Sequence, residues 1–146
     1  MKRFFLMVDG ASRGNPGDAS YGIVCFEKES LSEIPSLAEF KQNKNAIFYK
    51  GETTGTATNN EAEYTALLEG LRECEKKEIK NITVCMDSEL VVFQMQGRYK
   101  VKNPRLKEFY LKALSLAEKL NASFVHIRRE KNAIADYMAN MAFETK

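Results

Sequence analysis

Apolar residues occur along the chain either in short runs, which predict strands, or at three- and four-residue spacings, which predict helices. The first run is Phe4–Val8, and it is followed at once by Asp9 and by a turn-rich segment that contains Pro16. A run of this length bounded by glycine and proline is typical of a central strand buried on both faces. We therefore expect Asp9 to lie where this strand leaves the core, at the carboxyl edge of a sheet.

Two further strands are predicted in the first half of the chain. Ser20–Phe26 has strand character, as does a run that begins at Ala46–Tyr49 and continues toward Thr53. Short connections favour an antiparallel meander of the three strands. The mostly polar segment Glu27–Asn45 is predicted to be a long, partly helical excursion, and the sequence assigns it no role.

The second half of the chain alternates helices with strands. Capping residues and apolar spacing predict helices from near Asn60 to about Lys77, over Ser88–Gln96, from Asn103 to Leu120 and from about Asn132 toward Phe143, with strands at Asn81–Met86 and Ser123–Arg128. Strands separated by helices return parallel. The predicted fold is therefore α/β, a five-stranded mixed sheet of three antiparallel strands plus parallel strands, flanked by helices. From the length we expect residues 1–146 to form a single domain.

The composition, 44% hydrophobic and 29% charged, is that of an ordinary globular protein. No stretch approaches the ~20 apolar residues that span a bilayer, and the run after Lys2 and Arg3 is too short for a signal-peptide core. The three cysteines, Cys25, Cys74 and Cys85, are odd in number and have apolar neighbours, which favours reduced thiols over disulfides. We expect a monomeric cytoplasmic protein without a membrane partner.

The net charge is only +2, but the charge is unevenly distributed. Between Arg98 and Lys131 there are ten basic residues and three acidic ones. A solvated helix face accounts for some of this excess. The alternative interpretation is a basic surface that binds a polyanion.

Four acidic residues are predicted to meet at one place. Asp9 and Asp87 each follow a strongly apolar strand, and Asp136 lies in the first turn of the last helix. Glu63 is four residues from Asn59 and four from Leu67, so these three share a helix face that points toward the core edge. Taken singly, each acid is explained equally well as a cap, a turn residue or a surface charge.

Four converging carboxylates would repel one another strongly at low dielectric. Divalent cations compensate for that repulsion, and an all-oxygen set of ligands favours Mg²⁺ or Mn²⁺ over zinc. Two such ions ~3.5–4 Å apart are the usual arrangement for phosphodiester hydrolysis.

Four motifs follow one another along the chain: Asp9-Gly10-x-Ser12-x-Gly14-Asn15-Pro16-Gly17, Thr58-Asn59-Asn60-x-Ala62-Glu63-Tyr64, Asp87-Ser88-Glu89-Leu90-Val91 and Arg129-Glu130-x-Asn132-x-x-x-Asp136. Together they closely resemble type 1 ribonuclease H over nearly the whole chain. The sequence is most similar to the short bacterial and archaeal branch, in which Gly97–Lys107 replaces a longer basic protrusion. The resemblance implies the ribonuclease H fold and Mg²⁺-dependent cleavage of the RNA strand of RNA–DNA hybrids, with 5′-phosphate and 3′-hydroxyl products.

The resemblance also implies roles for individual residues. The ligands of two Mg²⁺ or Mn²⁺ ions would be Asp9, Glu63, Asp87 and Asp136, with Asp9 bridging both ions and Asp136 beside the ion that activates water. The implied substrate contacts are the groove readers Asn15 and Asn59, the DNA-phosphate contact Thr58, the amides around Gly10 and Gly14, Ser12, and the basic residues Arg98, Lys100 and Lys102. Such polar groups suit an A-like minor groove lined with 2′-hydroxyls.

The chain departs from the family pattern at two positions. Glu89 stands where many members have a glutamine that contacts the groove, and a carboxylate cannot donate hydrogen bonds. His126 has the spacing to Asp136 of a mobile histidine that assists turnover in the family, yet it falls inside a predicted strand, where a sheet-face role is the alternative. Arg129, in the following loop, is a second candidate to hold the departing phosphate.

Two other functions remain open at this point. One is a related nuclease with another substrate, such as a junction resolvase, a transposase-like enzyme or a ribonuclease H that also cuts double-stranded RNA. The other is a hybrid-binding module without catalysis. Asn15 and Asn59 argue against the first alternative, and the four intact acids argue against the second.

Overall fold

The computed structural model describes residues 1–144, which contain a five-stranded sheet with the strand order β3-β2-β1-β4-β5. The strands are β1 (Arg3–Gly14), β2 (Gly17–Lys28), β3 (Phe48–Ala57), β4 (Ile82–Met86) and β5 (Ser123–His126). β1 pairs antiparallel with β2, and β2 pairs antiparallel with β3, whereas β4 is parallel to both β1 and β5. The predicted α/β fold with a mixed sheet is confirmed.

Five α-helices flank the sheet in the described part of the chain. They are α1 (Leu37–Asn43), α2 (Asn59–Lys76), α3 (Glu89–Met95), α4 (Pro104–Lys119) and α5 (Ala133–Glu144). Two short 3-10 turns, Leu31–Glu33 and Arg129–Lys131, precede α1 and α5. None of the helices within residues 1–144 is long and apolar enough to cross a membrane.

β1 extends further than its sequence predicts. The strand does not end at Asp9, as expected, but continues to Gly14, because residues beyond Asp9 pair with β2 down to the register pair Gly14–Gly17. The parallel pairing of β1 with β4, however, stops at Met7 opposite Cys85. Asp9 therefore lies just beyond the carboxyl end of the parallel ladder while it remains inside the antiparallel one.

The helices cover the two faces of the sheet with two separate cores. Side chains of α2, α3 and α4 pack on one face around Leu6 and Val8. The other face carries Phe5 and Met7, together with residues of α1 and α5. Phe40 of α1 is fully buried, so the excursion between β2 and β3 serves to cover this second face.

Two glycines allow α5 to lie directly on the strands. A Cβ atom at Gly22 in β2 would be 2.0 Å from the carbonyl oxygen of Ala135, and one at Gly51 in β3 would be 2.1 Å from that of Met138. Gly22 is also the register partner of Asp9. The close approach of α5 at Gly22 thus brings the first turn of this helix, with Asp136, to Asp9.

The replacement Gly22→Ala tests this contact. The added methyl group cannot fit between β2 and the α5 backbone, and overpacking of this kind costs about 1–3 kcal/mol. We expect the free energy of unfolding, measured by urea denaturation, to fall by that amount. The exposed β3 residue Thr54 supplies the control Thr54→Ala, which should change stability far less. Equal stability of Gly22→Ala and the parent protein would contradict the packing described here.

Candidate active site

Three of the predicted carboxylates converge at the end of the parallel ladder. Asp9, Glu63 and Asp87 each offer an oxygen atom, and these atoms all lie within 4.8 Å of one another. Asp9 is buried, with 7% of its surface exposed, while the other two are half-buried. Asp136 lies outside this group of three, but it is close enough to Asp9 to influence the protonation of that residue.

Helix α2 brings Glu63 to β1 because residue 10 is a glycine. A Cβ atom at Gly10 would be 2.2 Å from the carbonyl oxygen of Ala62, so any larger residue would push the helix away. At this short separation the Gly10 amide donates a hydrogen bond of 2.8 Å to Glu63 Oε1. Gly10 thereby places the Glu63 carboxylate beside Asp9.

Asn132 connects the other parts of the site. Its Nδ2 donates to the Val8 carbonyl oxygen at 2.9 Å and to Asp87 Oδ2 at 3.2 Å, and its own carbonyl oxygen accepts from the Asp136 amide at 3.1 Å. The residue is 1% exposed. The Asn132 side chain therefore links the end of β1 to the acid after β4, and its backbone carbonyl accepts from the first turn of α5.

No role was predicted for Asn132 from the sequence, although the residue lies within the motif that ends at Asp136. Its position four residues before Asp136 is a signal for the backbone hydrogen bond at the start of α5. Its two side-chain bonds join residues more than forty positions apart, which no local pattern reveals.

Burial and neighbouring negative charges raise the pKa values of Asp9 and Glu63. Burial, followed by the charges of Glu63, Asp87 and Asp136, raises the pKa of Asp9 to about 9. Burial also raises the pKa of Glu63 to about 7, although the Gly10 hydrogen bond and the charge of Arg129 oppose this increase. The site is therefore electrostatically unfavourable when all of its acids are ionised.

The donor set fits a hard divalent cation. Its ligand atoms are carboxylate oxygens, which is the chemistry that Mg²⁺ and Mn²⁺ prefer. A cation within the group would also reverse the repulsion that raises the pKa of Asp9. The structure thus supports a carboxylate cluster that can hold a divalent cation.

The predicted groove-contacting residues meet at the far end of the β1–β2 hairpin. Asn15 Oδ1 accepts from the Asn59 amide at 3.0 Å, and Ser12 Oγ donates to the Ala57 carbonyl oxygen at 2.8 Å. Thr58 is the N-cap of α2, and its hydroxyl accepts from the Glu61 amide. The hairpin is therefore fastened to the start of the helix that carries Glu63. Gly14 is at the turn of this hairpin, with a positive φ of 136°.

The remaining predicted residues lie on the α3 side or near α5. Arg98, Lys100 and Lys102 are exposed in the segment between α3 and α4, and the Arg98 guanidinium lies 3.8 Å from the centre of the Phe93 ring. His126 is the exposed last residue of β5, and its ring lies 6.1 Å from the same Phe93 ring.

Arg129 lies in the 3-10 turn before α5, where its charge reaches Glu63. Glu89, the residue that departs from the family pattern, is exposed at the first position of α3 and accepts from the Tyr99 hydroxyl at 3.4 Å. Arg129 therefore acts on the carboxylate cluster, because its positive charge lowers the pKa of Glu63.

Comparison with known proteins agrees with this architecture. A family model described as "Reverse transcriptase-like" matches residues 7–142. The bifunctional protein Rv2228c of Mycobacterium tuberculosis is 41% identical over 137 residues, which is 93% of this chain and 34% of that protein. The chain thus spans about a third of the length of this relative.

Solved structures extend the similarity to the whole fold. RNase H1 from the archaeon Halobacterium salinarum has a TM-score of 0.85 and 32% identity, with 99% of each chain covered. LC11-RNase H1, obtained from compost and solved in complex with an RNA/DNA hybrid, has a TM-score of 0.83 and 36% identity, with 98% of each chain covered.

The strand order and the carboxylate cluster at the end of β1 and β4 define the class as ribonuclease H-like. Within this class, the sequence is more than 30% identical to two RNase H1 proteins of known structure over nearly their full length. The chain belongs to the type 1 ribonuclease H family.

The raised pKa values predict a pH dependence of stability in the absence of divalent ions. Asp9 has an ordinary pKa of 3.8 and a folded-state pKa of about 9, so between these values the folded protein binds more protons than the unfolded chain. The free energy of unfolding should therefore fall as the pH rises from about 4 to 9.

The matched variant for this test is Asp9→Asn. In EDTA it should flatten the pH profile and exceed the parent protein in stability at pH 8 by more than about 1 kcal/mol. Asp18→Asn, at an exposed position of β2, should leave the profile unchanged. Parallel profiles for the parent and Asp9→Asn, measured by urea denaturation, would contradict the electrostatics of the site.

A second prediction concerns Asn132. The variant Asn132→Ala loses both side-chain hydrogen bonds, and we expect the free energy of unfolding to fall by about 1–3 kcal/mol. Because Asp87 is then no longer oriented, Mn²⁺ affinity, measured by calorimetry, should decrease about 10–100-fold. The exposed Asn45 supplies the control Asn45→Ala. Unaltered Mn²⁺ affinity in a folded Asn132→Ala protein would contradict the role of Asn132 in orienting Asp87 for metal binding.

Proposed function

We propose that this chain is an endonuclease that hydrolyses the RNA strand of RNA–DNA hybrids with two divalent cations, Mg²⁺ or Mn²⁺, and leaves 5′-phosphate and 3′-hydroxyl ends. The observation that carries the proposal is the convergence of Asp9, Glu63 and Asp87 in a member of this family. The complex of the related LC11-RNase H1 with an RNA/DNA hybrid supports the choice of substrate.

Four carboxylates would hold the cations in this proposal: Asp9, Glu63, Asp87 and Asp136. When bound, a pair of divalent cations supplies the activation of water and the neutralisation of charge on the leaving oxygen. The protein contributes fixed orientations. The Gly10 amide holds Glu63, and Asn132 holds Asp87, so each carboxylate keeps only part of its oxygen surface available for coordination.

Arg129 is proposed to act on the departing phosphate, since its positive charge reaches the carboxylate group from the turn before α5. A role for His126 in turnover stays a prediction from the sequence, and its ring packs toward Phe93 of α3.

Substrate binding is assigned to the hairpin end and to the basic segment after α3. Asn15 and Asn59 are proposed to read the minor groove, Thr58 to contact a DNA phosphate, and Gly10, Ser12 and Gly14 to lie along the ribose backbone. Arg98, Lys100 and Lys102 are exposed and suited to phosphate contacts. A monomeric state, a cytoplasmic location and a single domain over residues 1–146 likewise stay predictions.

The direct test is cleavage of three labelled duplexes by the purified chain: an RNA–DNA hybrid, a DNA duplex and an RNA duplex. We expect cleavage of the RNA strand of the hybrid in Mg²⁺ or Mn²⁺ and none in EDTA. Preferential cleavage of the DNA duplex would favour a resolvase-like nuclease. Binding of the hybrid without cleavage under any of these metal conditions would favour a binding module, and either outcome overturns the proposal.

The variants Asp9→Asn and Asp87→Asn test the metal ligands. Each should lower the rate of hybrid cleavage by at least about 10²–10³-fold, because charge stabilisation in the transition state is lost. Hybrid binding, which depends mainly on phosphate contacts, should largely survive. Asp18→Asn serves again as the exposed control. Normal turnover by Asp9→Asn would contradict the assignment.

A further inference from the structure

Glu61 connects the starts of two helices close to the proposed substrate contacts. Its Oε1 accepts from the Thr58 amide at 2.9 Å, and its Oε2 accepts from Nε of Arg105 in α4. Glu61 is buried, with 7% of its surface exposed. One buried carboxylate therefore holds the N-cap residue of α2 on one side and an arginine of α4 on the other.

Arg105 itself remains accessible to a ligand. Its side chain is 72% exposed although Nε contacts Glu61. A guanidinium group has five N–H donors in a planar fork, and the Nε contact uses one of them. The backbone amide of Arg105 is fixed as well, because it donates to the N-cap Asn103 at 2.9 Å.

Stability alone does not account for this arrangement. Water screens an ion pair whose arginine is 72% exposed, and exposed pairs typically contribute about 0.2–1 kcal/mol. A second pair, Lys119 with Glu75, already joins the other ends of the same two helices at 2.6 Å. The buried α4 residues Leu106, Ala113 and Ala117 pack the helix into the core independently of either pair.

The following inference rests on the proposed function and adds a residue to its substrate site. We propose that Arg105 binds a phosphate of the DNA strand beside Thr58, and that Glu61 is the positioning residue that holds Arg105 there. Thr58 and Arg105 contact the two oxygens of one carboxylate, so a single phosphate or two neighbouring ones can reach both residues. A planar arginine fork matches phosphate oxygens, and an arginine held at Nε loses less conformational entropy on binding.

The first experiment measures hybrid affinity as a function of salt in the full chain. Arg105→Gln should weaken binding about three- to tenfold and lower the slope of log K against log salt by ~1, the value for one lost phosphate contact. Its steady-state defect should fall on KM, with kcat changed by less than about twofold. Lys119→Gln changes the other ion pair between the same two helices, and this variant should have the hybrid affinity and the salt slope of the parent protein.

The second experiment separates positioning from simple charge. Glu61→Gln keeps an oxygen acceptor for the Thr58 amide but releases Arg105. If Glu61 only repelled phosphate, its neutralisation would strengthen hybrid binding. As a positioning residue it should instead weaken binding in the parent background and have no weakening effect in Arg105→Gln. Arg105→Lys, which keeps the charge but lacks the fork, should restore the salt slope and only part of the affinity.

The third experiment locates the contact on the substrate. Hybrids with one uncharged methylphosphonate linkage, moved stepwise along the DNA strand, should reveal a position where the parent protein loses affinity and Arg105→Gln does not. The same scan along the RNA strand should show no position that depends on Arg105. An unchanged salt slope, or an identical DNA-strand scan, in a folded Arg105→Gln protein overturns this inference alone. Absence of hybrid cleavage by the parent chain overturns the proposed function.

Discussion

The arrangement of this protein depends on keeping several carboxylates close together against their mutual repulsion. Asp9 is buried, and its pKa is raised to about 9 because of that burial and of three neighbouring acids. Two hydrogen bonds hold carboxylates of this cluster in place. The Gly10 amide donates to Glu63, and the Asn132 side chain donates to Asp87. Folding energy from elsewhere in the molecule must compensate for this local cost, as is usual where pKa values are strongly perturbed at functional sites.

The two cores of the molecule supply that energy from opposite faces of the sheet. α2 approaches β1 at Gly10, and α5 approaches β2 at Gly22, which is the register partner of Asp9. Both close contacts therefore lie at the level of Asp9 along β1. The site lies where one helix from each face closely approaches the paired strands β1 and β2, beyond the end of the parallel ladder.

Much of this fold was predictable from local pattern. Apolar runs and capping residues predicted the succession of strands and helices along the chain, the mixed sheet, a helix that begins near Asn60 and a helix start at Asn103. The first of these helices begins slightly earlier, at Asn59 after the N-cap Thr58. The prediction that β1 ends at Asp9 was wrong. The continuation of the strand depends on its pairing with β2, and an apolar run does not reveal pairing partners. The polar excursion was predicted as partly helical, but its function of covering the second core through Phe40 became clear only in three dimensions.

The parts of the site that the sequence did not supply are contacts between distant residues. The bonds of Asn132 to Val8 and Asp87, and that of Glu61 to Arg105, join positions more than forty residues apart. Neither asparagine nor glutamate carries a local signal for such a role. The convergence of Asp9, Glu63 and Asp87 was predictable because their residue type and their positions on neighbouring elements restrict the possible chemistry.

The position of α5 after all five strands affects how the carboxylate cluster is assembled during folding. The five strands and the acids Asp9, Glu63 and Asp87 all precede Asn132 and Asp136 along the chain. Until α5 docks at Gly22 and Gly51, the asparagine that orients Asp87 is not in place. The carboxylate cluster is therefore fully oriented only when α5, the last helix of the described residues, packs on the sheet.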